Sequence, residues 1–269
     1  MFHTNNYRMS TLSMPSSSPR QLLTQDFGLG KISIHYSRPL TKGRTVLAEN
    51  SLLAPLGKLW RFGADAATQI SFTDEVELEG KKILAGTYLV FAIPQETKWE
   101  IIFNTDIAGG VRGYDEVNNV LAVEVPVHQT SVFADTFTIQ LHSLTYETCV
   151  LEINWANISV AIRLRTQIVD RLRESFNVQM QGENKPYFQA AVFNFMLEGN
   201  LPTALEYINI ALTQVPGAYY MYFIKANIEK LLGNAAEATI TAKRCLDTAV
   251  AAGSDDYQRL ALHFISNNQ

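Results

Sequence analysis

A short motif near the end of the chain recurs with a spacing of 34 residues. The residues that recur at equal offsets are Gly199 and Gly233, Asn200 and Asn234, Ala204 and Ala238, and Ala211 and Cys245. Small residues at such places let two antiparallel helices approach closely, and a Gly turns the chain between them. The motif therefore predicts stacked helical hairpins in the last third of the chain.

The hydrophobic period after Arg165 agrees with this prediction. Ile168, Leu172 and Phe176 fall four residues apart, on one face of a helix. Helices are predicted at 166–181, 186–198, 202–214, 218–232, 235–252 and 255–266. The 34-residue period, closed by Pro216, is typical of tetratricopeptide repeats. We therefore expect residues 165–269 to form a tetratricopeptide-like array, one short enough to depend on the preceding domain for stability.

The first part of the chain follows a period of two. Ile32, Ile34 and Tyr36 alternate with polar residues, and so do the apolar residues of 121–127, 137–141 and 151–162. Gly, Pro and Asn punctuate these runs about every 8 to 12 residues, as in an antiparallel sandwich. Residues 20–164 are predicted to form a β-sandwich of nine or ten strands, which makes the whole chain α+β. Residues 1–19 are Ser-rich and are predicted to be disordered.

Composition excludes several function classes. A formal net charge of -4 argues against a general nucleic-acid binder, which needs a basic face. No run is long and apolar enough for a membrane span or for the core of a secretory signal. The 2 cysteines are expected to be buried and unpaired. No ligand spacing or nucleotide motif predicts a metal or a cofactor, and no Gly-x-Ser-x-Gly elbow predicts a serine hydrolase.

The charge distribution departs from the average in one segment. The stretch from Lys31 to Arg61 contains six basic residues and a single acidic residue, Glu49. Most of this stretch belongs to a long irregular connection, residues 38–68. We call this connection the basic loop. Arg groups bind carboxylates and phosphates in bidentate geometry, so an anionic small ligand is one hypothesis. The alternative is that these side chains tie the loop to backbone carbonyls and to Asp65. The candidate site residues are Arg38, Lys42, Arg44, Lys58, Arg61 and Asp65.

A second candidate surface lies on the predicted array. The first helices of the hairpins would line a concave face with aromatic side chains and polar edges, which suits a protein or peptide partner. The residues of this helical face are Gln189, Phe193, Tyr220, Phe223, Asn227 and Lys230. The alternative is that the sandwich covers the face. Trp60 and Trp99 are expected to be core residues rather than ligand platforms.

A set of short phrases in the predicted sandwich resembles a known family. The phrases are Ser18-Pro19-Arg20, Tyr36-Ser37-Arg38-Pro39, Lys42-Gly43-Arg44, Gly57 to Ala64, Glu79-Gly80-Lys81, Ala85 to Tyr88, and Trp99 leading into Ile102-Phe103-Asn104. In this order they resemble the bacterial domain-of-unknown-function family DUF2911. The helical part resembles longer members through Lys185 to Ala190, Leu232-Gly233-Asn234 and Gly253 to Tyr257. Leu56 stands where the resemblance predicts an aromatic residue, and Asp65 stands where relatives tend to have Asn.

The resemblance implies little chemistry, because the family has no established activity, substrate or catalytic residues. Many relatives are exported, so the resemblance implies an exported or periplasmic protein, although no signal is visible in this chain. Our first hypothesis is a binding or scaffolding protein that uses the basic loop, the helical face or both. The alternative is a hydrolytic or carbohydrate-active enzyme with a pocket under the basic loop and with Asp65 or His35 as acid or base.

Overall fold

The computed structural model describes residues 14–268. They divide into two compact units with the boundary between Ile168 and Val169. The predicted disordered segment 1–19 lies mostly outside the described residues, and the first strand begins at Arg20. No helix among residues 14–268 combines the length and the apolar character that crossing a bilayer requires.

The first unit is built from β-strands. Their bounds are β1 Arg20–Phe27, β2 Gly30–Ser37, β3 Leu47–Ala48, β4 Ala54–Pro55, β5 Thr68–Phe72, β6 Val76–Leu78, β7 Lys81–Ile83, β8 Gly86–Pro94, β9 Lys98–Asn104, β10 Asn119–His142 and β11 Thr148–Arg165. Within residues 14–268, nine of them form one antiparallel sheet in the order β1-β2-β5-β8-β9-β10-β11-β6-β7. The short strands β3 and β4 pair separately, inside the basic loop.

Two long strands fold this sheet into two layers. The first half of β10, from Asn119 to Pro126, pairs with β9, and the second half, from Val127, pairs with β11. The second half comes back over β2, because Phe137 donates its backbone N–H to Pro39 and Thr41 donates to Asp135. The predicted antiparallel β architecture is confirmed, and the two layers belong to one continuous ladder of strands.

Aromatic side chains fill the space between the layers. Trp60 stacks on Trp155 with ring centres 5.5 Å apart and meets Trp99 edge-on at 5.7 Å. Phe62 and Phe137 complete the cluster. All five side chains are buried, so the prediction that Trp60 and Trp99 are core residues is confirmed.

A second, smaller apolar cluster lies on the outer face of the sheet. Residues 105–118, between β9 and β10, place Tyr114 on Phe91 with ring centres 4.7 Å apart. Leu89 and Ile102 belong to the same cluster, together with Ala67 from the end of the basic loop. This segment covers the outer face over β8 and β9.

The second unit is helical. Its helices are α1 Val169–Gln179, α2 Tyr187–Phe193 with a π-helical continuation Asn194–Glu198, α3 Leu201–Gln214, α4 Tyr219–Leu231, α5 Ala235–Ala251 and α6 Asp255–Ser266. These six helices of the described residues confirm the predicted all-α region. The first begins three residues later than position 166, because Thr166 and Ile168 donate their backbone N–H groups to Glu147 of the β unit.

The repeated motif has the same local structure at both positions. Gly199 and Gly233 end the helices before α3 and α5 with left-handed φ angles of 67° and 84°. Glycine adopts this conformation without the steric cost of a Cβ atom. Ala204 and Ala238 are fully buried at the start of the following helices. The 34-residue spacing thus corresponds to two equivalent turns, each followed by a close helix contact.

Candidate functional site

The basic loop contains unusual backbone conformations. Lys42, Phe62 and Asp65 have positive φ angles of 48°, 54° and 59°. A non-glycine residue in this region costs on the order of 1–3 kcal/mol, and such residues cluster at ligand and active sites. The loop also carries six of the site residues that the sequence predicts.

Two of the predicted arginines tie the loop to the backbone. Arg38 donates from Nε to the carbonyl of Phe137 at 3.1 Å and from Nη2 to Thr138 Oγ1 at 2.8 Å. Arg44 donates to the carbonyls of Thr41 and Leu40 at 3.0 and 2.8 Å. These bonds match the structural alternative that the sequence left open, although Arg44 uses only part of its donor capacity.

The other predicted residues of the loop lie apart from these bonds. Lys42 and Lys58 are exposed, and Arg61 is half-buried with a buried Nε that has no hydrogen-bond partner among residues 14–268. Asp65 is exposed and pairs with no cation of the described chain. Within residues 14–268, no hydrogen bond or ion pair joins any two of the six predicted residues.

One cavity lies beneath the basic loop, and we call it the loop cavity. Its volume is about 520 Å³, within the range of roughly 300–1,000 Å³ that small-molecule sites occupy. Of the predicted site residues, Arg44 alone lines it. Among residues 14–268, the lining is Arg44, Thr45, Val46, Leu47, Leu56, Glu96, Gln129, Phe133, Ala156, Asn157 and Ile158.

The wall opposite Arg44 is an irregularity in the β10–β11 pair. The register shifts between Gln129 and Ala134, and Ala156 on the facing strand has a φ of 51°. Bulges of this kind redirect side chains and are common beside functional sites. The extra residues expose Phe133, which is 56 % accessible. This wall was not predictable from the sequence, where its one signal is a break in alternation at Thr130–Phe133.

A second cavity, of about 230 Å³, lies on the outer face of the sheet. We call it the outer-face cavity. Its lining is Arg20, His35, Tyr36, Ser37, Ala66, Ala67 and Gln69. His35, an acid or base candidate of the enzyme hypothesis, is therefore at a cavity. Asp65, the other candidate, immediately precedes Ala66 but does not line it.

The predicted helical face is partly used inside its own unit. Phe193 packs on Phe176 at 5.1 Å, and Phe223 meets Tyr257 and Phe264 at 5.9 and 6.3 Å. The Lys230 ammonium lies 5.3 Å from the centre of the Phe264 ring.

The other three residues of the helical face differ in exposure. Tyr220 packs edge-on against Phe188 at 5.3 Å. Asn227 donates to the carbonyl of Phe223 at 2.8 Å, and Gln189 is exposed. The aromatic residues of the face thus contribute to packing between helices.

Two thiols and one carboxyl have shifted pKa values. Burial raises the pKa of Cys149 and of Cys245 to about 11, so both thiols stay protonated and unreactive at neutral pH. Burial also raises the pKa of Glu152, but hydrogen bonds from Ser159, Asn154 and Gln140 outweigh it, and the net shift is downward. Among residues 14–268, no group of three or more His, Cys, Asp or Glu side chains could hold a metal ion.

Comparison with known proteins identifies the β unit. The family model described as "Protein of unknown function (DUF2911)" matches residues 18–164, which is more than half of the chain and stops before the helical unit. The comparisons with curated proteins and with solved structures gave no match. The matched range spans the nine-stranded sheet, the basic loop and both cavities. On this match the chain belongs to the DUF2911 family.

Proposed function

We propose that this chain is a binding protein and that the loop cavity takes a small organic monocarboxylate. The observation that carries the proposal is the position of Arg44, which lines a cavity of about 520 Å³ while two backbone carbonyls hold its guanidinium. The helical unit, in this proposal, is a tetratricopeptide-like array with a separate contact surface for a protein or peptide.

The bonds of Arg44 prepare it for an anion. A guanidinium has five N–H donors in a planar fork, and two of them bind the carbonyls of Thr41 and Leu40. The other three have no partner among the described residues. Because the fork is already oriented, less side-chain entropy is lost when it binds a carboxylate in bidentate fashion.

The remaining lining residues determine which group can be attached to the carboxylate. Leu47, Leu56, Phe133 and Ile158 offer apolar surface, which favours an alkyl or aryl group attached to the carboxylate. Glu96 lines the same cavity and forms no ion pair with a described residue. A second carboxylate on the ligand would meet this like charge, so monocarboxylates are favoured over dicarboxylates.

A series of straight-chain acids tests this proposal. Acetate, butyrate, hexanoate and octanoate are added at equal concentration in low salt, and unfolding is followed by tryptophan fluorescence. The melting temperature should rise with chain length, because each added CH₂ group that is buried contributes about 0.8 kcal/mol, or roughly fourfold in affinity. Hexanol has no carboxylate and adipate has two, so both should raise the melting temperature less than hexanoate does.

Two variants locate the effect. Phe133→Ala removes an exposed apolar side chain from the lining, so the stability of the unliganded protein should stay nearly unchanged. The variant should weaken the binding of octanoate more than that of acetate. Arg44→Lys keeps the charge but loses the planar fork and should weaken every acid in the series. Equal shifts by hexanol and hexanoate, or an unchanged octanoate effect in Phe133→Ala, would refute the proposal.

The enzyme hypothesis has one observation in its favour, which is that His35 lines a cavity. A general acid or base normally acts with a second titrating group nearby. Tyr36 also lines the cavity, but burial raises its pKa and its hydroxyl is already bound to Gln21 and Ile139. Arg20 offers only hydrogen-bond donors. The enzyme hypothesis would gain support if His35→Gln abolished a hydrolytic activity of the full chain.

A further inference from the structure

Four polar side chains of the outer-face cavity come from three adjacent strands. Ser37 and His35 lie two residues apart on β2 and share one face of the sheet, whereas Tyr36 between them faces the core. The strand register places Arg20 of β1 opposite Ser37 and Gln69 of β5 opposite His35. Residues directly opposite in a ladder point to the same side. The register therefore brings the four side chains together on the outer face.

The end of the basic loop closes the cavity on one side. Ala66 and Ala67 line it, and Ala67 also packs in the outer apolar cluster under Tyr114. The cavity thus lies beside the part of the outer face that the 105–118 segment covers. Its volume of about 230 Å³ is below the usual size of a drug-like site but well above the ~30 Å³ of one water molecule.

These four side chains form no hydrogen bond and no ion pair with a residue of the described chain. The next row of the same face behaves differently. Thr24 pairs with Ser33 at 3.4 Å, and Ser71 pairs with Thr87 at 2.9 Å. The polar groups around the cavity therefore retain donors that their neighbours on the same sheet have already used.

The chemistry of the lining favours an anion. Arg20 offers only donors, and Ser37, Gln69 and His35 can each add one or more. No carboxylate of residues 14–268 lines the cavity. The backbone N–H groups of Ala66 and Ala67 also donate no hydrogen bond within the described residues. They follow Asp65, whose φ is 59°, and successive N–H groups beside a left-handed residue form concavities that bind anions.

We propose that the outer-face cavity is a binding site for a phosphate-sized oxyanion, with Arg20 as its cation and Ser37, Gln69 and the amides of Ala66 and Ala67 as further donors. This site goes beyond the proposed function, since the two cavities share no lining residue within the described part of the chain. A tetrahedral oxyanion presents acceptors in several directions, which matches donors that come from three strands and one turn.

Titration of the full chain with inorganic phosphate tests the site. Amide resonances of Ser37, Ala66, Ala67 and Gln69 should shift and saturate together in two-dimensional NMR spectra. Arg20→Ala should weaken phosphate binding by roughly tenfold or more, because it removes a charge-assisted hydrogen bond. Arg112→Ala is the matched control, since Arg112 is exposed, lies in the 105–118 segment and does not line the cavity. It should change the affinity by less than about twofold.

A second arm uses glycerol phosphate. Tighter binding of the ester than of inorganic phosphate would assign the site to a phosphoryl group on a larger molecule, whereas the reverse order would assign it to the free anion. Gln69→Leu leaves Arg20 in place but removes a hydrogen-bond donor, so it should also weaken phosphate binding. The proposal is overturned if phosphate produces no saturable shift at these four amides, or if Arg20→Ala and Arg112→Ala weaken it equally. The Arg44→Lys variant should bind phosphate normally, so the two sites can fail separately.

Discussion

The hydroxyl of Tyr36 connects the two layers of the β unit, and its removal should destabilise that unit. Tyr36 is 2 % exposed and packs edge-on against Phe137 at 5.9 Å. Its oxygen accepts the backbone N–H of Ile139 at 3.0 Å. It also donates to Gln21 Oε1 at 2.8 Å, with the carbonyl of Ile139 at 3.3 Å as a second acceptor. One oxygen thus links β1, β2 and the second half of β10.

The Tyr36→Phe variant keeps the ring and removes these bonds. The N–H of Ile139 would remain buried without an acceptor, which costs on the order of 1–3 kcal/mol. Gln21 is only half-buried and can bind water instead, so its loss adds little. We expect a net destabilisation of about 2 kcal/mol. With a typical urea dependence of about 2 kcal/mol per molar, the unfolding midpoint should fall by roughly 1 M.

Tryptophan fluorescence is a specific assay for this change, because all 3 tryptophans lie in the core of the β unit. Tyr146→Phe is the matched control: Tyr146 is 52 % exposed and its hydroxyl forms no hydrogen bond with a described residue. Its midpoint should not move. If Tyr36→Phe shifts the midpoint no more than Tyr146→Phe does, the hydroxyl does not hold the layers together and the reasoning is refuted.

Two further predictions concern the helical unit and acid stability. Ala238→Phe should overpack the fully buried contact of α5 and cost about 1–3 kcal/mol by circular dichroism, whereas exposed Ala236→Phe should not. No difference between these variants would contradict the repeat register. The lowered pKa of Glu152 means that its stabilisation is present at neutral pH and is lost as pH falls through the folded pKa, below about pH 5. Glu152→Gln should therefore be less stable than the parent at pH 7 and show a smaller loss between pH 5 and pH 3; a parallel pH profile would contradict this.

The elements with a strong period were predictable from the sequence. Alternation at Ile32, Ile34 and Tyr36 gives β2 its buried face, since successive side chains of a strand point to opposite sides. The helices after 186 begin and end within about two residues of the predicted bounds, because Gly199, Gly233 and Pro202 mark turns by their backbone chemistry. These signals are local, and local signals are readable in one sequence.

The contacts around Trp60 were not predictable in the same way. Trp60 lies in the basic loop and reaches the core through an isolated bridge to Ala92, with its indole N–H donated to the carbonyl of Gly63 at 3.1 Å. Hydrophobic periodicity does not identify a loop residue whose side chain packs in the core. The positive charge of the basic loop was visible in the sequence. The sequence did not show that Arg38 and Arg44 bind backbone carbonyls, because those bonds depend on how the chain turns at 38–44. Counting charges therefore overstated how many arginines remain for a ligand.

The outer face of the sheet shows why pairing carries more information than polarity. His35 and Ser33 look alike in the sequence, since both occupy the polar positions of β2. Register separates them: Ser33 stands beside Thr24 and binds it, whereas His35 stands between Leu22 and Gln69 and binds neither. His35 and Gln69 form a polar pair without a hydrogen bond, next to a row whose polar side chains are bonded. Folding does not require polar side chains at the unbonded positions, because the opposite face of each strand supplies the core contacts. Variants at the unbonded positions should therefore change ligand binding more than stability, whereas variants at the bonded row should do the reverse.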